Sequence, residues 1–156
     1  MKKRTLQAVE EGSWFAVPLP TGFAVGLAAR ISEPVMLAYF FGPVRQHVPA
    51  LGDLRGLEPS SAVRVLRVST MAIRDTQWPT IGRHPDWQRE KWPIPDFIRR
   101  EPPALSKRAW VVRYSDDDPS LVISETPASE ANGGLESDGL YGTAAAEKVI
   151  AAALVI

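Results

Sequence analysis

The stretch Val35-Met-Leu-Ala-Tyr-Phe-Phe41 decides the fold, because all seven of its residues are apolar. Gly42 and Pro43 follow at once, so the run has the length of a strand and is too short for a typical helix. An unbroken apolar run of this length is typical of a β-strand with both faces buried. We therefore predict a strand here that is covered on both sides.

Shorter strand patterns lie on either side of this run. Before it, residues 14–17 and 23–30 predict a hairpin, and Gly26 predicts a bulge or a close backbone approach. After it, the alternation of residues 62–68 predicts a strand with Arg64 and Arg67 facing water. Two further strands are predicted at residues 109–114 and 121–124, joined by a sharp acidic turn.

Helical signals are few. Residues 51–55 have room for one helical turn, and residues 98–108 form a charged connector with prolines. Thr126 and Pro127 predict the start of a short helix, and the alanine-rich residues 143–156 predict a C-terminal helix with a threonine cap. Short strands followed by a helix indicate an α+β fold, built on a curved antiparallel sheet or a small open barrel of five to seven strands.

A long segment rich in tryptophan and proline, residues 78–97, interrupts the strands. Trp78, Trp87 and Trp92 lie within it, among four prolines that exclude a long helix or a central strand. Large rings favour burial, so we predict an ordered loop held to the body by its indoles. A ring that stays exposed would be a binding residue, and we choose Trp87 as that candidate.

Length and composition predict a single globular domain at residues 13–156, preceded by a loosely ordered tail at residues 1–12. The chain contains no cysteine, which excludes disulfides and thiolate chemistry. The formal net charge is zero, yet residues 114–156 contain eight acidic residues and one basic residue. The balanced total argues against nucleic acid as a partner. No segment has the length of a membrane span, so we expect a cytoplasmic protein without a membrane partner.

No motif in the sequence specifies catalysis. His47 and His84 are the two histidines, and their separation does not match a metal-binding or catalytic pattern. The densest acidic cluster consists of Asp116, Asp117 and Asp118. We interpret it as a solvated turn in preference to a metal site. A third interpretation is a recognition patch for a basic partner. We therefore predict no catalytic residue, no metal and no cofactor.

Six segments together resemble the immunity protein 26 family of bacterial polymorphic toxin systems. The segments are residues 14–20, residues 39–43, Trp78-Pro79-x-Ile81-Gly82, Trp92-Pro93-x-Pro95-x-Phe97, Arg113-Tyr114-x-Asp116-Asp117-Asp118 and Gly139-Leu140-Tyr141-Gly142. The resemblance covers about residues 12–148. It implies a cytoplasmic bacterial protein that binds and blocks a cognate toxin, often a nuclease. The family supplies no catalytic residues that can be carried over to this chain.

Two hypotheses of function therefore remain. The first is a non-catalytic immunity protein whose candidate partner-binding residues are Asp116, Asp117, Asp118, Trp87 and Arg99. The second is a small enzyme or ligand-binding barrel whose pocket is lined by residues 78–97. The sequence leaves the toxin and the oligomeric state open.

Overall fold

The computed structural model describes residues 8–102, 104–105 and 107–154. Its strands are β1 Ser13–Leu19, β2 Gly22–Ser32, β3 Val35–Arg45, β4 Arg64–Ser69, β5 Thr80–Arg83, β6 Phe97–Arg100, β7 Ala109–Ser115, β8 Asp118–Pro127, β9 Glu136–Ser137 and β10 Leu140–Tyr141. Its α-helices are α1 Met71–Arg74 and α2 Thr143–Ala153, and its short 3-10 helices are Leu51–Leu54, Pro59–Ser61, Arg89–Lys91 and Glu130–Asn132.

The strands form two mixed sheets. The six-stranded sheet has the order β10-β4-β3-β2-β1-β5, and the four-stranded sheet has the order β8-β7-β6-β9. Neighbours are antiparallel except for the pairs β10–β4 and β6–β9. The predicted α+β class, with its sheets and C-terminal helix, is confirmed. The described residues contain ten strands, more than the predicted five to seven, and these divide between the two sheets.

Both faces of the six-stranded sheet are buried. All seven residues of the apolar run in β3 are buried, as predicted. Alternate strand residues point to opposite faces, so Phe15 and Phe40 pack with α2 and Trp78, whereas Trp14 and Phe41 pack with the four-stranded sheet. Each such side chain contributes roughly 1.5–3 kcal/mol when fully buried.

The Trp/Pro-rich segment connects these two faces. Trp78 stacks on Phe15, with ring centroids 5.6 Å apart and planes 7° apart. Trp92 lies in the other core and meets Tyr39 edge-on at 5.1 Å. Between them, β5 pairs with β1 at the edge of the sheet, where flanking prolines are tolerated. The segment therefore passes around the sheet edge with one indole anchored in each core.

Several local predictions are confirmed. A helical turn occupies residues 51–54, and the predicted C-terminal helix is present as α2. Its N-cap residue is Gly142 and not the predicted Thr143. The close approach at Gly26 is that of the Phe15 ring, since a Cβ there would lie 2.4 Å from Phe15 Cζ.

Three local predictions are wrong. Thr126 and Pro127 do not start a helix, because they end β8 opposite Val111 and Trp110. The first residues of the predicted connector form β6, which pairs with β7. Arg64 and Arg67 are not free in water, because residues 136–138 lie beside β4 and pair with both arginines. Arg64 Nε lies 2.8 Å from Glu136 Oε1, and Arg67 NH1 lies 3.2 Å from Asp138 Oδ1.

Of the N-terminal tail, residues 1–7 lie outside the described part of the chain. The end of the tail is bonded to the body. Gly12 N donates to Ala28 O at 2.7 Å, and His84 N donates to Gly12 O at 2.8 Å.

Candidate partner-binding surface

The acidic turn, residues 116–118, connects β7 to β8. Two of its carboxylates face solvent, since the side chains of Asp116 and Asp117 are 65% and 81% exposed. Asp118 Oδ1 accepts hydrogen bonds from Ser120 N at 2.9 Å and from Ser120 Oγ at 2.6 Å. These bonds, the hydroxyl bond first, lower the pKa of Asp118 below its ordinary value. The turn thus presents carboxylates from a backbone that is fixed by hydrogen bonds to the hydroxyls and carboxylates beside it.

The fully buried side chain of Arg30 holds this turn in place. Arg30 Nε donates to the backbone O of Asp116 at 2.6 Å, and NH2 lies 3.2 Å from the Asp116 carboxylate. NH1 donates to Ala29 O at 2.7 Å and to Trp92 O at 3.1 Å, and NH2 donates to Arg89 O at 3.3 Å. One guanidinium therefore joins β2, the Trp/Pro-rich segment and the acidic turn, which satisfies its buried charge.

Arg89 forms a second connection to the same turn. Its NH1 lies 2.5 Å from Asp117 Oδ1, and its Nε lies 2.9 Å from Glu11 Oε1. The hydrogen bond to Asp117 raises the pKa of Arg89 above its ordinary value. Two arginines, Arg30 and Arg89, therefore connect the acidic turn to the Trp/Pro-rich segment.

Trp87 is half-buried and belongs mainly to the packing of that segment. Its ring lies 6.1 Å from Trp92 and 6.2 Å from His84, and it covers Gly12 so closely that a Cβ there would lie 2.8 Å from Trp87 Cγ. Trp87 covers Gly12, whose neighbour Glu11 shares Arg89 with Asp117, so Trp87 lies near the acidic turn.

Arg99 lies elsewhere. It stands on β6 opposite Trp110 and pairs with Glu125 of β8, and the hydrogen bond to that carboxylate raises the pKa of Arg99. Trp110 is six residues before Asp116, which separates Arg99 from the acidic turn by roughly 20 Å of strand. The structure thus brings Asp116, Asp117 and Asp118 together, places Trp87 near them, and leaves Arg99 at the opposite end of the sheet.

Strand β8 adds an exposed apolar segment that the sequence did not indicate. Leu121, Val122 and Ile123 are 53%, 41% and 58% exposed, and β8 is the outermost strand of its sheet. The sequence predicted the strand but not its edge position, because strand order depends on distant pairing. Arg30 was also missed, although one arginine between Ala29 and Ile31 in an apolar strand was a usable signal.

Two clefts open on the surface. One has a volume of about 640 Å³ and lies between residues 51–57 and residues 84–86, with Trp14 at its base. The other, about 740 Å³, lies beside Trp110 and includes Arg100, Lys107 and Glu130. Within the described residues, no three His, Asp or Glu side chains are grouped to hold a metal ion. None of the helices in that part of the chain is long and apolar enough to cross a membrane.

The sequence model of a family described as Immunity protein 26 matches residues 10–109, which is more than half of the chain. The match includes Arg30 and the Trp/Pro-rich segment, and it ends before the acidic turn and β8. No curated protein and no solved structure matches the chain. Its family suggests a role in neutralising a toxin. By the extent of this match, the chain belongs to the Immunity protein 26 family.

Proposed function

We propose that this chain is a non-catalytic immunity protein that binds a cognate toxin in the bacterial cytoplasm and blocks its activity. The observation that carries the proposal is the family match over residues 10–109. The acidic turn supports it, because its exposed carboxylates stand on a backbone fixed by hydrogen bonds and so offer a fixed pattern of charge to a partner.

The chemistry of this turn favours a nuclease as the toxin. A nuclease binds a polyanion, so the surface around its substrate site is basic. An inhibitor that covers such a site presents negative charge, and residues 114–156 contain eight acidic residues against one basic residue. Asp117 is the most exposed of the ion-paired carboxylates in this region.

The experiment uses the toxin domain encoded by the adjacent gene. Cells that express this domain should survive when the chain is co-expressed, and the two purified proteins should form a complex in calorimetry. An absence of both rescue and complex contradicts the proposal. A complex that leaves the toxin fully active contradicts the blocking role alone.

A charge-matched pair of variants tests the acidic turn. Asp117→Asn with Asp118→Asn should slow association several-fold and weaken its salt dependence, because rim charges act mainly on the association rate. Glu58→Gln with Glu147→Gln removes the same charge from other elements and should leave the rate unchanged. Equal rates for both double variants would remove the turn from the binding surface.

A second candidate function is the binding of a small ligand in the cleft beside residues 84–86. Its volume of about 640 Å³ lies within the range of small-molecule sites. Here Trp14 and His84 supply stacked rings 6.0 Å apart. Screening of the purified chain by thermal shift should then yield a compound whose effect disappears in His84→Ala. A screen without any such compound would set this alternative aside.

A further inference from the structure

We infer that β8 is a docking strand, and that an extended, basic segment of the toxin pairs with its free edge. This inference rests on the proposed function and specifies how the partner is bound. Strand β8 is the terminal strand of the four-stranded sheet and is paired along one side only, with β7. A strand in this position offers main-chain donors and acceptors to an incoming strand.

The side chains of β8 fit such a partner. Leu121, Val122 and Ile123 are consecutive and all exposed, at 53%, 41% and 58%. The register between β8 and β7 shifts on both sides of Val122, so Leu121 and Ile123 lie in bulges of the strand, and their apolar side chains project from its exposed part. Edge strands commonly avoid pairing by means of lysine, and β8 contains no lysine or arginine. Of the devices that protect an edge, β8 therefore lacks the basic side chain, and it has bulges around Val122 and a proline near each end.

Two prolines define the length of the free edge. Pro119 and Pro127 lack a backbone N–H, which confines main-chain pairing to residues 120–126. Pro119 is fixed in place, because its carbonyl accepts a hydrogen bond from Arg67 Nε at 2.8 Å. Seven residues span at most roughly 23 Å, and less where the strand bulges around Val122.

The charge around β8 selects a basic partner over a second copy of this chain. The exposed carboxylates of Asp116 and Asp117 lie at one end of the strand, and Glu125 lies near the other, where it is paired with Arg99 of β6. No lysine or arginine occurs between residues 114 and 147. Two copies paired edge to edge would bring like charges together, which is destabilising. A toxin strand with lysine or arginine at the end that meets residues 116–118 would complement the acidic turn.

The experiment measures binding of the toxin domain from the adjacent gene to three forms of the chain. Leu121→Lys places a positive charge on the edge of β8. Leu140→Lys is the matched control, because Leu140 is 51% exposed and lies on β10, the edge strand of the six-stranded sheet. We expect Leu121→Lys to raise the dissociation constant by about tenfold or more, and Leu140→Lys to change it by less than about twofold. Hydrogen exchange of the unaltered chain provides a second measurement, in which the amides of residues 120–126 should become protected in the complex.

Each outcome distinguishes the two proposals. If the unaltered chain does not bind, the proposed function fails and docking on β8 fails with it. If the chain binds, but Leu121→Lys binds equally well and the amides of β8 stay unprotected, only the docking strand is overturned. Sedimentation of the chain alone tests for a second copy. A dimer that is lost in Leu121→Lys and kept in Leu140→Lys would show that a second copy pairs with β8. That result would overturn the proposal that a basic toxin segment does so.

Discussion

The two sheets of this molecule differ in how much of each is covered. The six-stranded sheet has α2 and Trp78 on one face and the four-stranded sheet on the other, so β3 is buried over its whole apolar run. The four-stranded sheet buries one face, through Phe97, Val112 and Tyr114, and exposes β8 from residue 120 to its end. The first sheet is therefore the source of stability, and the second supplies surface that a partner can use without unfolding the core.

Arg30 forms a polar connection between these two regions. Arg30 lies on β2 of the six-stranded sheet, and its guanidinium forms a hydrogen bond and an ion pair with Asp116, in the acidic turn of the four-stranded sheet. Arg67 makes a comparable connection from β4, through Asp138 and the carbonyl of Pro119. The exposed acidic turn is thus positioned by side chains that start from the most stable part of the molecule.

The largest expected effect compares one tryptophan from each region. Trp78→Ala should lower the free energy of unfolding by about 3–5 kcal/mol, because Trp78 is fully buried and fills space between Phe15 and Phe40. Trp110→Ala, on β7, should cost less than about half as much, because Trp110 is only half-buried. Urea denaturation of the two variants measures the difference. Similar costs would contradict the view that the six-stranded sheet (the stabilising sheet) supplies most of the stability and the four-stranded sheet (the surface sheet) supplies the exposed surface.

The second prediction tests the connection itself. Arg30→Met should lower the free energy of unfolding by about 3 kcal/mol, because it leaves the carbonyls of Ala29 and Trp92 without a donor. Arg64→Met is the control, since Arg64 also starts from the six-stranded sheet and is ion-paired, but is 30% exposed. That control should cost about 1 kcal/mol or less.

Hydrogen exchange shows where the effect of Arg30→Met falls. The amides of the acidic turn and of residues 89–92 should lose protection before those of β3 do. If β3 loses protection equally early, Arg30 is a general core residue and does not serve mainly to join the two sheets.

The sequence predicted the stabilising sheet better than the surface sheet, for a physical reason. Burial on both faces leaves a continuous apolar run, which is visible locally in residues 35–41. Strands β6 and β8 carry no such signal, because one is four residues long and the other is exposed over most of its length. The sequence pattern therefore predicts a connector where β6 starts and the start of a helix where β8 ends.

The candidate surface could be predicted only in part. Three consecutive aspartates are visible in any sequence, and they proved to be neighbours because they are consecutive. Their arginine partners, Arg30 and Arg89, lie 86 and 28 residues away from them in sequence. Such pairing depends on how the two sheets pack, and no local pattern contains that information. Residue type alone singles out Trp87 and Arg99, and the fold places Arg99 at the end of β6 and β7 that is distant from the acidic turn.

The third prediction uses the pH dependence of stability. The Tyr39 hydroxyl donates to Pro93 O, and burial raises the pKa of Tyr39 to about 12. Because this pKa lies above the ordinary value of 10.0, the contribution of Tyr39 to stability is full below pH 10.0 and is lost as pH rises toward 12. Tyr39→Phe should cost about 1 kcal/mol at neutral pH, where the lost hydrogen bond dominates.

The same variant should be less sensitive to alkali. Between about pH 8 and pH 11, the unaltered chain should lose about 1 kcal/mol more stability than Tyr39→Phe does. Burial also raises the pKa of Tyr114, which remains in both proteins, so its effect cancels in the comparison. Parallel pH profiles for the two proteins would show that Tyr39 does not titrate with unfolding.

The smallest expected effect on stability concerns Asp117, on which association should depend most. Asp117→Asn should change the free energy of unfolding by less than about 0.5 kcal/mol, because the side chain is 81% exposed and a surface ion pair is screened by water. Asp116→Asn should cost more, since Asp116 pairs with the fully buried Arg30. In about 1 M salt the effect of Asp117→Asn should vanish, because charges are then screened within about 3 Å. A cost for Asp117→Asn that equals that of Asp116→Asn, or that persists in high salt, would mean that the acidic turn is part of the scaffold. Its carboxylates would then be less available to a partner than their exposure indicates.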